Sequence, residues 1–344
     1  MFSILLPLLF LNFFSFFNLL GIKKELLVNQ IVFFFIGICF FFLAKKVGIF
    51  FFRNNAKFFY WLFIFLLVVT FVIGSEIRGS RRWIDFYIFN FQSSEFFKIF
   101  FVIFFADFFT RFKKDLEDPK VFLKSLLYFL LPTFIIFRQP DLGNALVYLV
   151  IYFSILLFSS VPKKYILYLL VVAVLLLPSS WFFLHDYQKD RIVSFINPSL
   201  TQRGTGYNMI QAIITVGSGK FLGKGLGYGT QSQLFFLPEN HTDFAFSSLV
   251  EQFGFMGGLV VLGLYFILML QMVKKIFSFA QAKDEETLFT FYFLIGFFSY
   301  LTFQTLVNLG MNVGLLPIVG IALPFISYGG SSLVSLFFSF GLIP

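Results

Sequence analysis

The chain has 344 residues, 59% hydrophobic and 12% charged, with a formal net charge of +9 and a mean hydropathy of +0.89. Soluble globular domains carry about 25% charged residues, so an ordinary water-soluble protein is excluded. No soluble basic domain is present to hold nucleic acid, and the single cysteine, Cys39, excludes an intrachain disulfide or a cysteine-based metal site.

Apolar runs of about 17–25 residues, the length at which a helix crosses about 30 Å of hydrocarbon, recur along the chain. They lie at about 3–20, 29–45, 57–74, 94–111, 121–138, 142–160, 163–183, 244–273, 287–309 and 318–342. Lipid offers no water to unpaired backbone groups, so these runs read as helices; a membrane barrel would show short alternating strands instead. The first run lacks the basic start and small-residue cleavage site of a signal peptide and is kept as a helix. The expected fold is therefore an all-α polytopic membrane protein with about ten transmembrane helices. Residues 1–344 form one domain in this reading, with a large extracytoplasmic loop, residues 185–243, between the seventh and eighth helices. The 61 Phe residues are read as apolar bulk that lipid tolerates, without functional weight.

Orientation follows from Lys and Arg in the short connections. Lys45, Lys46, Arg53, Lys57, Arg111, Lys113, Lys114, Lys120, Lys124, Lys163, Lys164, Lys274, Lys275 and Lys283 fall on one side, which is taken as cytoplasmic. The opposite short connections carry only Lys23, Lys24, Arg78, Arg81 and Arg82. Both termini are then inside, and residues 185–243 face outward. Anionic lipid accounts for the inner positives; the outer ones suggest an anionic ligand.

Polar constellations break the apolar pattern on the outward side. In chain order the first is Gly-Ser-Arg-Arg-Trp-Ile at 79–84, followed by Gln92, Ser94, Glu95 and Lys98. Glu95 and Lys98 are three apart and share a helix face; they form either a structural pair or a lysine that leans on an anionic substrate. Trp83 reads first as an interfacial anchor. Arg138-Gln-Pro-Asp141-Leu-Gly follows as a tight turn, closed by a local Arg138–Asp141 pair. The outer loop then supplies Arg191, Arg203 and a glycine-rich stretch with Lys220, Lys224 and Gln231. Glycines can bring backbone N–H groups to an anion, although the spacing is not that of a Walker A loop.

Residues 238–244, Pro-Glu-Asn-His-Thr-Asp-Phe, are the densest polar cluster, and Glu251 lies eight residues beyond Asp243. Acids at a membrane edge are costly and usually functional, which makes Asp243 the leading catalytic candidate. At helical spacing Glu251 would face broadly the same way. No HExxH zinc motif and no Gly-x-Ser-x-Gly element is present. Near the end, Pro-Phe-Ile-Ser-Tyr-Gly-Gly-Ser-Ser at 324–332 implies a kink or close packing in the last helix.

These motifs together resemble the shape, elongation, division and sporulation (SEDS) family, the FtsW/RodA/SpoVE group. The resemblance is carried by Gly-Ser-Arg-Arg-Trp-Ile, Gln-Pro-Asp-Leu-Gly, the segment from Gly223-Lys-Gly through Gly229-Thr-Gln to Leu-Pro-Glu-Asn-His-Thr-Asp-Phe, and Pro-Phe-Ile-Ser-Tyr-Gly-Gly-Ser-Ser. It runs through almost the whole chain, and two of the motifs sit closer to the elongation branch. Departures are Ser93, Asn144, Lys220 and Gln252, none of which removes Asp243.

The resemblance implies a peptidoglycan glycosyltransferase of the bacterial cytoplasmic membrane. It would polymerise lipid II, an undecaprenyl-pyrophosphate-linked disaccharide peptide, on the outer face, for cell elongation and rod shape. Asp243 would act as general base. Lys98, Arg191, Arg203 and Lys224 would hold the pyrophosphate, and Glu95, Trp83, Gln231, Glu239, His241, Thr242 and Ser327 would complete the substrate-binding set. A divalent cation, Mg or Mn, would neutralise the leaving group. Membrane lipid and a class B penicillin-binding protein, a transpeptidase, are the implied partners. The rival reading from the residues alone is a precursor flippase or transporter; a noncatalytic scaffold is a third.

Overall fold

The computed structural model describes residues 2–77, 80–86, 90–184, 186–197, 204–281 and 284–344. Each of the first nine apolar runs lies on a helix: α1 (Phe2–Ile22), α2 (Lys24–Val47), α4 (Ala56–Ile73), α5 (Ser93–Arg111), α6 (Pro119–Arg138), α7 (Leu142–Phe158), α8 (Lys163–Phe183), α12 (Ala245–Ser278) and α13 (Glu285–Asn312). A one-and-a-half-turn helix α3 (Ile49–Asn54) joins α2 to α4. Among the described residues, six helices are long and apolar enough to cross a membrane, and Leu142–Phe158 and Gly330–Gly341 are shorter apolar helices.

The tenth run departs from expectation. Only Gly330–Gly341 is helical (α14), and residues 313–329 carry only turns and irregular backbone. Pro317 and Pro324 lack an N–H and push the residue before them out of the α region, while Gly320 (φ +71°) and Phe325 (φ +68°) adopt left-handed backbone. The connection between the seventh and eighth runs is also partly structured, carrying α9 (Asp186–Ile196), α10 (Thr205–Ser218) and the single turn α11 (Thr230–Gln233). A small antiparallel sheet, β1 (Ser75–Ile77), β2 (Ser80–Asp85) and β3 (Asn90–Phe91), links α4 to α5 with Ser75 opposite Trp83 and Ile84 opposite Phe91.

The chain divides into two compact units. The first comprises Met1–Phe34, Val174–Gln271 and Gln304–Gly329; the second comprises Phe35–Ala173, Met272–Phe303 and Gly330–Pro344. At the centre of the second unit stands α5, buried from Ser93 to Thr110 except at Phe96. Its aromatic rows pack in rings against α4 and α7, for example Phe63 on Phe97 at 5.6 Å and Phe101 on Tyr148 at 4.9 Å. Such aromatic pairs add about 0.5–1.5 kcal/mol each beyond area burial.

In the first unit a core of Met209, Ala212, Leu237, Phe244, Met311 and Ile318 holds α10, the 237–244 segment and the end of α13 together. A buried amide and a buried hydroxyl of α1 tie this unit internally: Asn18 donates to the Ala245 carbonyl (3.1 Å), and Ser15 donates to the Ile326 carbonyl (2.8 Å). Where a helix ladder is interrupted inside a membrane, side chains must pair the freed backbone groups.

Candidate active site

Residues 238–244 form a turn that leads into α12. Glu239 sits in left-handed backbone (φ +53°), and its carbonyl accepts the N–H groups of Thr242 (3.2 Å) and Phe244 (3.1 Å). The following carbonyls are each held from outside the turn. Tyr328 N–H donates to the His241 carbonyl at 2.8 Å, and Ser327 Oγ donates to the Thr242 carbonyl at 2.6 Å. The Asp243 carbonyl receives two buried amides, Asn308 Nδ2 and Asn312 Nδ2, each at 3.0 Å.

Asn312 also accepts Ser247 N–H (3.0 Å) and Oγ (2.7 Å), which fixes the first turn of α12 to the end of α13. Asn308 in addition donates to the Ile321 carbonyl (2.7 Å), and Gln304 to the Ala322 carbonyl (3.3 Å). Three amides at intervals of four thus line one face of α13 and hold both Asp243 and the irregular 320–323 backbone. Their positioning role is absent from the sequence reading, in which the ninth run ends at about 309 and Asn312 falls beyond it.

With the backbone so fixed, Asp243 is only partly buried. A Cβ built on Gly320 would lie 3.6 Å from Asp243 Oδ2, 3.9 Å from Arg191 Nη1 and 4.0 Å from Arg191 Nη2. The carboxylate and the α9 guanidinium therefore both approach the same side of Gly320, whose positive φ favours glycine. Around it, Thr242 Oγ1 donates to Glu239 Oε2 (3.0 Å), and His241 Nδ1 lies 3.3 Å from Asn240 Oδ1. Asp243, Arg191, Glu239, His241, Thr242 and Ser327 are thus gathered in one region of the first unit, with Ser327 acting on backbone.

Lys224 and Gln231 lie elsewhere in the same unit, around Glu251. Glu251 is fully buried, and its carboxylate accepts Lys224 Nζ (3.0 Å), Gln231 N–H (2.9 Å), Ser232 N–H (3.0 Å) and Ser232 Oγ (2.6 Å). The expectation that Glu251 faces the same way as Asp243 fails, because residue 243 precedes α12 and helical spacing does not apply to it. The glycine-rich stretch is likewise no open anion cradle. Lys224 N–H donates to the Glu251 carbonyl (2.9 Å) and Gly225 N–H to the Gln252 carbonyl (3.0 Å), beside Gly254, where α12 breaks (φ 70°, ψ −172°). A Cβ on Gly223 would stand 2.1 Å from the Gln252 carbonyl oxygen, so glycine here permits backbone to lie on backbone. Arg203 lies outside the described residues.

The second unit holds the other candidates. Lys98 is fully buried, 2.6 Å from Glu95 Oε1 and 5.3 Å from the centre of the Tyr300 ring. Glu95 Oε2 is buried with no hydrogen-bond partner, an orphaned acceptor of the kind that structures rarely leave unexplained. Asp141 caps α7 through Asn144 N–H (3.2 Å). Its ion-pair partner is Arg82, at 3.6 Å, and not the expected Arg138, because Arg82 reaches across from β2 and also donates to the Gln139 and Pro140 carbonyls. Trp83 lies on β2, with its carbonyl accepting Ser75 Oγ at 3.1 Å.

No group of three His, Cys, Asp or Glu side chains able to cage a metal occurs among the described residues. Mg²⁺ commonly takes only one or two carboxylates plus substrate phosphates and water, and the partly buried Asp243 offers one carboxylate for that mode.

The family model described as "Cell cycle protein" (FtsW/RodA/SpoVE) matches residues 1–344. Peptidoglycan glycosyltransferase MrdB of Escherichia coli K12 is 37% identical over 81% of this chain and 74% of its own length. The protein of that name from Helicobacter pylori J99 is 33% identical over 99% of this chain and 87% of its own. The fold superposes on a chain of a peptidoglycan synthase complex, solved to show how polymerization and crosslinking are coordinated, with a TM-score of 0.81, 28% identity and coverage of 100% and 96%. It also matches Thermus thermophilus rod shape determining protein RodA with a TM-score of 0.70, 27% identity and coverage of 100% and 95%. The chain is a polytopic membrane protein that belongs to the FtsW/RodA/SpoVE family, the SEDS proteins.

Proposed function

We propose that this chain is a peptidoglycan glycosyltransferase that polymerises lipid II on the outer face of the cytoplasmic membrane, serving cell elongation. The observation that carries the site assignment is Asp243. Its backbone is held by two buried amides while the residue is only partly buried, its carboxylate and Arg191 both approaching Gly320. A general base must be held in place and remain reachable, and both conditions are met here.

In the reaction the acceptor GlcNAc hydroxyl attacks the donor's anomeric carbon. The new glycosidic C–O bond forms as the bond to the undecaprenyl pyrophosphate breaks, and Asp243 takes the hydroxyl proton. Arg191, placed next to that carboxylate, would neutralise the departing pyrophosphate. A divalent cation would supply further charge neutralisation there when bound, and Asp243 is the residue that would hold it. Lys98 and Glu95 keep their candidacy as a second polar centre through the orphaned Glu95 Oε2. A class B penicillin-binding protein is the proposed partner that crosslinks the product strands.

The test is glycan formation from lipid II by the purified protein with Mg²⁺ or Mn²⁺, wild type beside Asp243→Asn, which preserves shape and removes basicity. Loss of a positioned general base lowers the rate about 10²–10⁴-fold, and the variant should keep its thermal midpoint. Equal polymer from both would remove Asp243 from the chemistry. No polymer from wild type, even with the transpeptidase added, would favour transport.

A further inference from the structure

One face of α6, with Trp61 of α4, lines an open apolar groove of about 680 Å³ in the second unit, chiefly through Leu127, Tyr128, Leu131, Phe134 and Phe137. That volume is in the range of sites that hold a whole small molecule, about 300–1,000 Å³. Pro132 interrupts the α6 hydrogen-bond ladder beside the groove. It has no N–H to give the Tyr128 carbonyl, and its ring crowds that carbonyl, which bends a helix. Tyr60 Oη supplies the missing donor to the Tyr128 carbonyl at 2.7 Å, pinning α4 to α6 at the groove floor.

The lining argues against a second helix as occupant. Close helix pairs in membranes use small residues at the contact, whereas α6 presents Leu127, Leu131 and Phe134 outward. An acyl chain needs no such flat seam. At the end of the groove that the lysine and arginine bias marks as cytoplasmic, Lys57 stands four residues before Trp61, and Lys124 four before Tyr128, so each shares a helix face with a groove residue. Lys57 also lines a cleft of about 140 Å³ with Arg53 and Arg111. There Asp107 engages both arginines (3.2 and 2.7 Å) and Glu285 engages Arg53 (3.6 Å). Two carboxylates thus offset two arginines, which leaves Lys57 as the unmatched cation of that cleft; Lys124, exposed like Lys57, lies outside it with its ammonium 5.7 Å from the centre of the Phe112 ring.

We infer that this groove is a binding site for an anionic phospholipid of the cytoplasmic leaflet, with an acyl chain in the groove and the phosphate between Lys57 and Lys124. The polyprenyl chain of the substrate is a poorer occupant, because its pyrophosphate would belong at the opposite membrane face under the proposed reaction. The inference rests on the proposed function only in setting that chain aside, and not on the role of Asp243.

Native mass spectrometry of the full-length protein in detergent, with equimolar phosphatidylglycerol and phosphatidylcholine, tests it. Wild type should retain phosphatidylglycerol preferentially. Lys57→Gln with Lys124→Gln should lower that preference on the order of tenfold, at unchanged thermal midpoint. Leu131→Trp, which fills the groove, should reduce retention of both lipids. Equal retention of the two lipids by wild type, or a preference that both variants leave intact, would overturn the proposal. So would displacement of phosphatidylglycerol by stoichiometric undecaprenyl phosphate in wild type but not in Leu131→Trp, which would give the groove to the substrate's chain.

Discussion

At the scale of single residues, the site depends on amides more than on charges. Asn312 bonds Asp243 through its donor and Ser247 through its acceptor, so its loss strands the buried Ser247 N–H. An unsatisfied buried donor costs about 1–3 kcal/mol, and a displaced catalytic group can cost up to about 10²-fold in rate. Asn312→Ala should therefore lower the thermal midpoint and reduce kcat for glycan formation while leaving KM for lipid II near wild type. A wild-type kcat would show that Asp243 does not depend on this clamp. Asp243 itself was legible in the sequence, because a cluster of acids and hydroxyls in so apolar a chain needs a reason. The amides were legible too, at 304, 308 and 312, but the helix was expected to stop at 309, which cut the spacing that reveals them. Lys224 and Gln231 show the opposite limit. Their residue types suit an anion, yet the buried Glu251 carboxylate occupies the Lys224 ammonium and the Gln231 N–H, and nothing in the spacing between 224 and 251 announces it.

At the scale of elements, apolar run length located nine helices because lipid leaves the backbone little alternative. The tenth run failed where Pro317 and Pro324 interrupt it, since apolar composition alone cannot tell a helix from irregular chain buried in protein. Here the 320–328 backbone is held by Asn308, Gln304 and Ser327 instead of by a helix ladder. Helix α6 meets the same problem with a lighter remedy, a single proline and a single tyrosine. Tyr60→Phe should leave the Tyr128 carbonyl unpaired and destabilise the protein by about 1–3 kcal/mol. In Tyr60→Phe with Pro132→Ala, the restored N–H at 132 can take the carbonyl back. The double variant should then be more stable than Tyr60→Phe alone, a coupling that thermal or denaturant unfolding of the four-member cycle would measure. Additive effects would mean that Tyr60 acts only through packing.

At the scale of the whole molecule, the number of crossings decides which face Asp243 occupies. Between Lys114 and Tyr228 lie α6, α7 and α8, so the two residues stand on opposite faces when an odd number of these helices cross, as when all three do. Helix α6 is among those long and apolar enough. Helix α7 has 17 residues, about 26 Å at 1.5 Å per residue, slightly short of the hydrocarbon thickness, so its crossing is the weakest link in the topology. Helices α9 and α10, of 11 and 14 residues, are too short to add a crossing. The lone cysteine makes this measurable. In a Cys39→Ser background, a thiol at the exposed Tyr228 should react with a membrane-impermeant maleimide in intact spheroplasts, and a thiol at the exposed Lys114 should react only after permeabilisation. Labelling of both from outside would mean that α7 or α8 does not cross. Labelling of Lys114 alone would invert the protein, placing Asp243 in the cytoplasm, where an extracytoplasmic polymerase could not use it.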